Sequence, residues 1–402
     1  MSKIVFFFFF LIPHTLHHPN PTKASPPVTT AAPTKPAGLE GIIAGDSAIC
    51  DVDQSSLIYR GYEIADLAAN ATFEEVAFLL LVGHKPTPEE LAAFKHELIH
   101  ERAIPDHAHD VIKRCALGAG MHPMDVLRTG VSYLAQFDEQ CQDNAPEAEL
   151  TKAKRLLAKI PTIIGHMQNV IDGRDFIHPD SELGHAANLL YMMTGAKPSE
   201  QEARIMDVSL ILYAEHDFNA STFTTRVIAG TLSDMHGAVT GGIAALKGPL
   251  HGGANEMAME FLREIGELSN VEAFMEKSFA EKRKIMGFGH RVYKNGDHRA
   301  GILHKLGRAY ADTKGGDALK WFEIGEKVQS IMESQKSIKP NVDFPCGMTY
   351  YAMGIPVPQY TPIFVASRIT GWCAHIMEQH KNNRLIRPLS NYTGPSLTKW
   401  NG

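Results

Sequence analysis

Four stretches of this chain concentrate residues that can do chemistry. They are Glu215-His216-Asp217-Phe218-Asn219-Ala220-Ser221, the turn Lys247 to Asn255, the run Gly287-Phe288-Gly289-His290 through Asp297-His298-Arg299, and Asn341-Val342-Asp343-Phe344. In the turn, Pro249 and three glycines leave little side-chain bulk around one imidazole, His251. That imidazole sits at or near the start of a helix, where free N–H groups and partial positive charge collect. A neutral histidine in such a place can donate a hydrogen bond to an oxygen that becomes negative during reaction. The plainer alternative is a buried histidine satisfied by nearby backbone. His216 as a core histidine, His290 as a loop histidine stacked on its neighbours and Asp343 as a cap or ion-pair partner are the equivalent plain readings. Together, three loops framed by Gly or Pro that carry His or Asp point to a site. A zinc centre of His216, His251 and His290 is a joint alternative, although no two of them share a helix at ligand spacing.

Elements that position these loops are mostly helical. Thr72 with Glu75 and Thr87 with Glu90 form capping boxes, the second with Pro88 at the first helical position. Further helices are predicted near 107–116, 122–136, 148–171, 184–194, 199–218, 221–232, 236–246, 254–266, 271–283, 299–312, 318–335 and 361–380. Asp343 falls between two of them. Ile42–Ile43, Ala48–Val52 and Leu57–Tyr59 are short strand-like pieces. Connections are short and alternating strand patterns are nearly absent, so the class is all-α with a small β piece near the N-terminus. The small-residue segments 226–247 and 366–374 predict a close helix–helix approach, within the chain or between subunits.

The bulk numbers exclude other classes. The chain has 402 residues, 44% apolar and 21% charged, enough for two to three domains or one large helical domain with an inserted lobe. A net charge of −6 argues against a nucleic-acid binder. Five scattered cysteines without CxxC spacing indicate a reducing compartment, hence the cytoplasm, and no structural zinc. Residues 1–37 differ from the rest: an apolar run Ile4–Ile12 with five consecutive phenylalanines precedes seven prolines, with no Asp, Glu or Arg. Nine apolar residues are too few to span a bilayer, so no membrane role is expected. The segment reads as a disordered extension or a mis-assigned start; the alternative, a targeting peptide, would send the protein to an organelle or out of the cell.

The loops Pro249-Leu250-His251-Gly252, Gly287-Phe288-Gly289-His290 and Asn341-Val342-Asp343-Phe344 resemble, in order and separation, the three catalytic loops of the citrate synthase family. Tyr59-Arg60-Gly61-Tyr62 and Asn383-Arg384-Leu385-Ile386-Arg387-Pro388 extend the resemblance over about residues 38–402. It implies a large helical domain, 38–251 and 345–402, carrying a smaller inserted helical domain, 252–344. It implies a Claisen condensation of acetyl-CoA with oxaloacetate, then hydrolysis of citryl-CoA, a step of the tricarboxylic acid cycle. The close rival is 2-methylcitrate synthase, which uses propionyl-CoA. A catalytically silent helical scaffold is a further alternative; the citryl-CoA lyase direction would need an ATP-activating module not seen here. By resemblance Asp343 is the base, His251 the donor to the enolate oxygen and His290 the acid toward the oxaloacetate carbonyl. His216, Arg299 and Arg368 would hold oxaloacetate, and Arg387 would reach it from the partner of a homodimer or larger assembly. Lys284, Ile285, Met286, Gly287, Phe288 and Gly289 would take the CoA adenine. No cofactor or metal is implied, because the CoA thioester is a substrate. Two departures stand out: Asp297-His298-Arg299 where the family commonly has Asp-Pro-Arg, and Pro345-Cys346-Gly347 where it usually has Tyr-Ser-Gly after Asp-Phe. The second puts acyl-chain selectivity in doubt.

Overall fold

A computed structural model describes residues 37–39, 41–54, 56–290, 292–293 and 296–399. The leader assigned to residues 1–37 lies outside them up to Pro36. Met1–Asp46 and Ser47–Gly402 separate as two units. In the first, the described part holds one 3-10 turn, Ala37–Leu39, and Ile42–Ile43 is exposed coil rather than strand.

The second unit is helical, with one small sheet that fastens the site. Strands Cys50–Val52, Leu57–Tyr59 and Tyr62–Glu63 pair antiparallel in that order. Arg60 and Gly61 join the last two with φ of 50° and 90°, the pair of left-handed residues a two-residue hairpin prefers. Tyr59 is wholly buried, and its hydroxyl donates to the Glu215 carbonyl at 2.8 Å. The sheet thereby pins the loop that carries His216.

Both anticipated capping boxes form, and Ser199 with Glu202 makes a third. The axis of the unit is helix Tyr360–Lys381, buried around nearly its whole circumference as a helix without a polar face must be. It packs against helices Pro146–Ile171, Glu200–Tyr213, Ala220–Ala229 and Met235–Leu246. Small residues permit that packing: a Cβ at Gly242 would lie 2.7 Å from Thr225 Cγ2 and 3.2 Å from the Trp372 ring. The close approach predicted for 226–247 and 366–374 is thus made within the chain.

One predicted helix is shortened and two helices were not predicted. The helix expected over 199–218 ends at Tyr213, and Asp217 takes a φ of 52°, which no helix accommodates. Helix Ile64–Asn70 was not anticipated. Nor was Asp343–Ala352, whose Pro345 and Gly347 read as breakers. Pro345 falls in the first turn, where its missing N–H has no intrahelical partner to lose. Gly347 is needed for packing, since a Cβ there would lie 3.3 Å from the Asn255 carbonyl oxygen and Met259 Cβ.

Candidate active site

His251 lies in the turn between helices Met235–Leu246 and Ala254–Ile265, its N–H donating to the Gly248 carbonyl at 2.9 Å. The turn leads directly into helix Ala254–Ile265, whose first N–H donates to the His251 carbonyl at 3.2 Å, and the ring itself meets the start of a second helix. Nε2 of His251 accepts the backbone N–H of Ser221 at 3.2 Å, and Ser221 belongs to the first turn of helix Ala220–Ala229, capped by Asn219. The Ser221 hydroxyl is 2.8 Å from the same nitrogen and also receives the Trp372 indole N–H at 3.2 Å. A nitrogen that accepts from an amide carries no proton, so the ring proton resides on Nδ1. Burial, and then the field of Arg368, push the imidazole pKa down to about 3. His251 is therefore a neutral Nδ1–H donor.

His290 is built on the same logic. Its Nδ1 accepts the N–H groups of Val292 at 3.1 Å and Tyr293 at 3.3 Å, which leaves the proton on Nε2. Burial, followed by Arg299, lowers its pKa to about 4. The ring stacks on Tyr293 with centroids 4.5 Å apart and meets His216 edge-on at 5.0 Å. His216 faces the Tyr293 hydroxyl through Nε2 at 3.0 Å, and burial holds it neutral as well.

Asp343 is the first residue of helix Asp343–Ala352, and its N–H donates to the Asn341 side-chain oxygen at 3.1 Å. Oδ1 accepts the Tyr213 hydroxyl at 2.8 Å. Burial raises the carboxyl pKa to about 6, against the Tyr213 hydrogen bond and the Arg299 charge, which pull it down. Phe364 connects this residue to His251, with ring centroids 4.2 Å from Tyr213 and 6.4 Å from His251.

The arginines differ in their commitments. Arg299 forks onto Asp297, with Nε to Oδ1 at 3.0 Å and Nη2 to Oδ2 at 2.9 Å. Asp297 also caps helix His298–Lys314 and accepts the Val342 N–H at 3.0 Å, one residue before Asp343. His298 occupies the first helical position, where the family's proline also fits, so that departure is local. Arg368 is buried and donates through Nε to the Tyr213 carbonyl at 2.7 Å. Its two terminal nitrogens make no hydrogen bond among the described residues, which leaves a guanidinium fork for a carboxylate.

The segment Lys284–Gly289 is joined to the base loop. Gly289 N–H donates to Lys339 O and Asn341 N–H to Gly287 O, each at 2.9 Å. Gly287 has φ of 81°, and a Cβ there would lie 2.9 Å from Phe344 Cβ. Lys284 and Gly289 are exposed, Met286 and Phe288 are partly buried, and Ile285 and Gly287 are buried.

The structure brings His216, His251, His290, Asp343, Arg299 and Arg368 into one connected region. Arg387 is not among them: it is exposed, in a segment without regular structure after helix Tyr360–Lys381, and makes no hydrogen bond or ion pair among the described residues. The zinc alternative is not supported, because His216, His251 and His290 do not gather as a three-donor group among the described residues. Sequence reading missed Tyr213, Phe364 and Trp372, and it named the stretches holding Ser221, Tyr293 and Asp297 without giving those residues a role. Asp297 carried a signal, as a cap two residues before Arg299; Tyr213, Phe364 and Trp372 lay in largely apolar helical segments and carried none.

A family model described as the C-terminal domain of citrate synthase matches residues 38–389. Citrate synthase 2 of Bacillus subtilis is 43% identical over 91% of this chain and 98% of its own length. The 2-methylcitrate synthase of Shewanella oneidensis is 44% identical over 90% of this chain and 96% of its own. Among solved structures, citrate synthase from Pyrobaculum aerophilum superposes with a TM-score of 0.85 at 38% identity, covering 91% of this chain and 94% of that one. A ternary complex of carboxymethyl coenzyme A and oxaloacetate with citrate synthase from Thermoplasma acidophilum gives 0.86 at 31% identity, covering 91% and 97%. Matched over nine tenths of its length by sequence and by fold, the chain belongs to the citrate synthase family.

Proposed function

We propose that this protein condenses acetyl-CoA with oxaloacetate and hydrolyses the resulting citryl-CoA to citrate and CoA. One observation carries the reading: two neutral imidazoles, each with one nitrogen held by backbone N–H, keep an N–H donor apiece in the region that also holds the Asp343 carboxylate. A thioester α-proton is far less acidic than a carboxylic acid. Asp343 can remove it only while a preorganised donor meets the forming enolate oxygen, and His251 Nδ1–H supplies that donor. The enolate carbon attacks the oxaloacetate ketone, and His290 Nε2–H gives its proton to the ketone oxygen. Raising the Asp343 pKa to about 6 strengthens it as a base while leaving it ionised at neutral pH.

Oxaloacetate carries two carboxylates, and Arg368, Arg299 and His216 supply donors to them. Arg387 reaches the same substrate from the partner of a homodimer; its exposure and its lack of a hydrogen bond or ion pair among the described residues support this. Segment Lys284–Gly289 receives the CoA adenine, and residues 252–344 close as a small domain to exclude water before the base acts. The enzyme is read as cytoplasmic, and the free cysteines support a reducing compartment.

A second reading, 2-methylcitrate synthesis from propionyl-CoA, rests on Cys346. This buried thiol stands between Tyr213 and Tyr350, three residues from the base. Release of CoA thiol on mixing acetyl-CoA, oxaloacetate and enzyme tests the proposal. It should occur with the parent and vanish in Asp343→Asn at unchanged fold; persistent turnover in that variant would remove Asp343 as the base.

A further inference from the structure

Away from the condensation site, Cys141, Asp234 and His236 bring a thiol, a carboxylate oxygen and an imidazole nitrogen within 4.8 Å of one another. Cys141 follows helix Pro123–Leu134 and its 3-10 extension, and Asp234 caps helix Met235–Leu246 through Gly237 N–H at 2.8 Å. His236 is the second residue of that helix and is 2% exposed.

Three features of the group ask for a ligand. Nδ1 of His236 is buried with no hydrogen-bond partner, a costly state for an imidazole nitrogen. Its other nitrogen, Nε2, faces Asp138 Oδ2 at 3.7 Å, the carboxylate-behind-histidine arrangement that orients metal-bound imidazoles. Asp234 has no cationic partner among the described residues, and its carboxylate faces the Cys141 thiol. The nearby cations are already engaged: Arg155 pairs with Asp138 at 2.8 Å, and the buried Lys152 donates to the carbonyls of Cys141 and Asp143.

We propose that Cys141, Asp234 and His236 bind a divalent transition-metal ion of the zinc class. One sulfur, one nitrogen and one oxygen donor suit a metal of borderline softness and exclude calcium or magnesium, which take oxygen. On binding, the Cys141 thiol releases its proton, and thiolate plus carboxylate neutralise the ion. Donor separations in a tetrahedral zinc site are about 3.5 Å, so small side-chain rotations complete the geometry. The partly exposed Asp234 gives the ion access from solvent, and water completes the coordination. CxxC spacing is absent because the donors come from two separate segments. The site stands at the start of the helix whose other end leads into the His251 turn, about 18 Å along the axis. Its role is to fix that helix, not to join the condensation.

Cobalt(II) titration of the chelator-treated, full-length protein tests this, because a thiolate–cobalt bond gives a near-ultraviolet charge-transfer band. The expected result is one cobalt ion per chain, with a band that zinc abolishes. Cys141→Ser should lose the band while CoA release stays at the parent level. Asp234→Asn keeps the helix cap and should weaken binding at least tenfold. No band in the parent, a band that survives Cys141→Ser, or undiminished affinity in Asp234→Asn would overturn the proposal.

Discussion

The Tyr213 hydroxyl donates a 2.8 Å hydrogen bond to Oδ1 of Asp343, from a phenol whose ring packs 4.2 Å from Phe364. This bond favours the charged carboxylate and opposes the burial that raises its pKa to about 6. Tyr213→Phe removes the donor and keeps the ring. The Asp343 pKa should rise by about one unit, the effect of losing a hydrogen bond worth about 1.5 kcal/mol to a charged group. The acid limb of the kcat–pH profile should move up by the same amount, with KM for oxaloacetate little changed. An unmoved limb would separate Tyr213 from the base.

Asp297 holds Arg299 by two hydrogen bonds and the Val342 N–H by a third. Asp297→Asn leaves a buried guanidinium uncompensated and should cost about 3 kcal/mol of stability. It should also raise KM for oxaloacetate and lower kcat, because both Arg299 and the base loop lose their anchor. Urea denaturation beside steady-state kinetics reads both effects; a stability loss with intact kinetics would make Asp297 merely structural.

Stability should fall as the solution is acidified below about pH 6.5. His251 and His290 are held at about 3 and 4 in the folded state, against 6.5 in the unfolded chain. Between those values the unfolded state binds protons the folded state refuses, so acid favours unfolding. Asp343 works in the opposite direction: its raised value lets the folded state take up a proton first, between about 6 and 3.8. Buried His216 and His185 act with these histidines and Asp207, raised to about 6, acts with Asp343, so the histidines outnumber the carboxyls and the net is a loss. Denaturation midpoints at pH 7 and 5 should diverge for the parent and diverge less for His290→Asn. Equal divergence would contradict the assigned neutrality of His290.

Arg387→Ala should raise KM for oxaloacetate by tenfold or more, as removal of a charge-assisted contact does. Mixed with Asp343→Gly, it should regain activity, because one of the two sites then has an intact base from one chain and an intact arginine from the other. No recovery after verified subunit exchange would remove Arg387 from the shared site.

Much of the site was legible because its chemistry sits in loops framed by Gly and Pro. His251, His290 and Asp343 stand in or at the end of such loops, whereas Arg299 and Arg368 lie on helices and take their roles only from the family resemblance; the structure joins all five. What could not be read were contacts between distant segments. Ser221 meets His251 across 30 positions and Tyr213 meets Asp343 across 130, and neither leaves a local pattern. Helix Asp343–Ala352 was hidden by a proline that costs nothing in a first turn. The small-residue stripe foretold close packing but not its partner, which turned out to be helices of the same chain.

Acyl-chain choice tests the central claim most directly. The quantity is kcat/KM for acetyl-CoA against propionyl-CoA, each with saturating oxaloacetate. One methylene is worth about 1–3 kcal/mol in a closed pocket, so a clear preference is measurable. A higher value for acetyl-CoA is the expected result; a propionyl-CoA value more than about tenfold higher would contradict it and make the protein a 2-methylcitrate synthase.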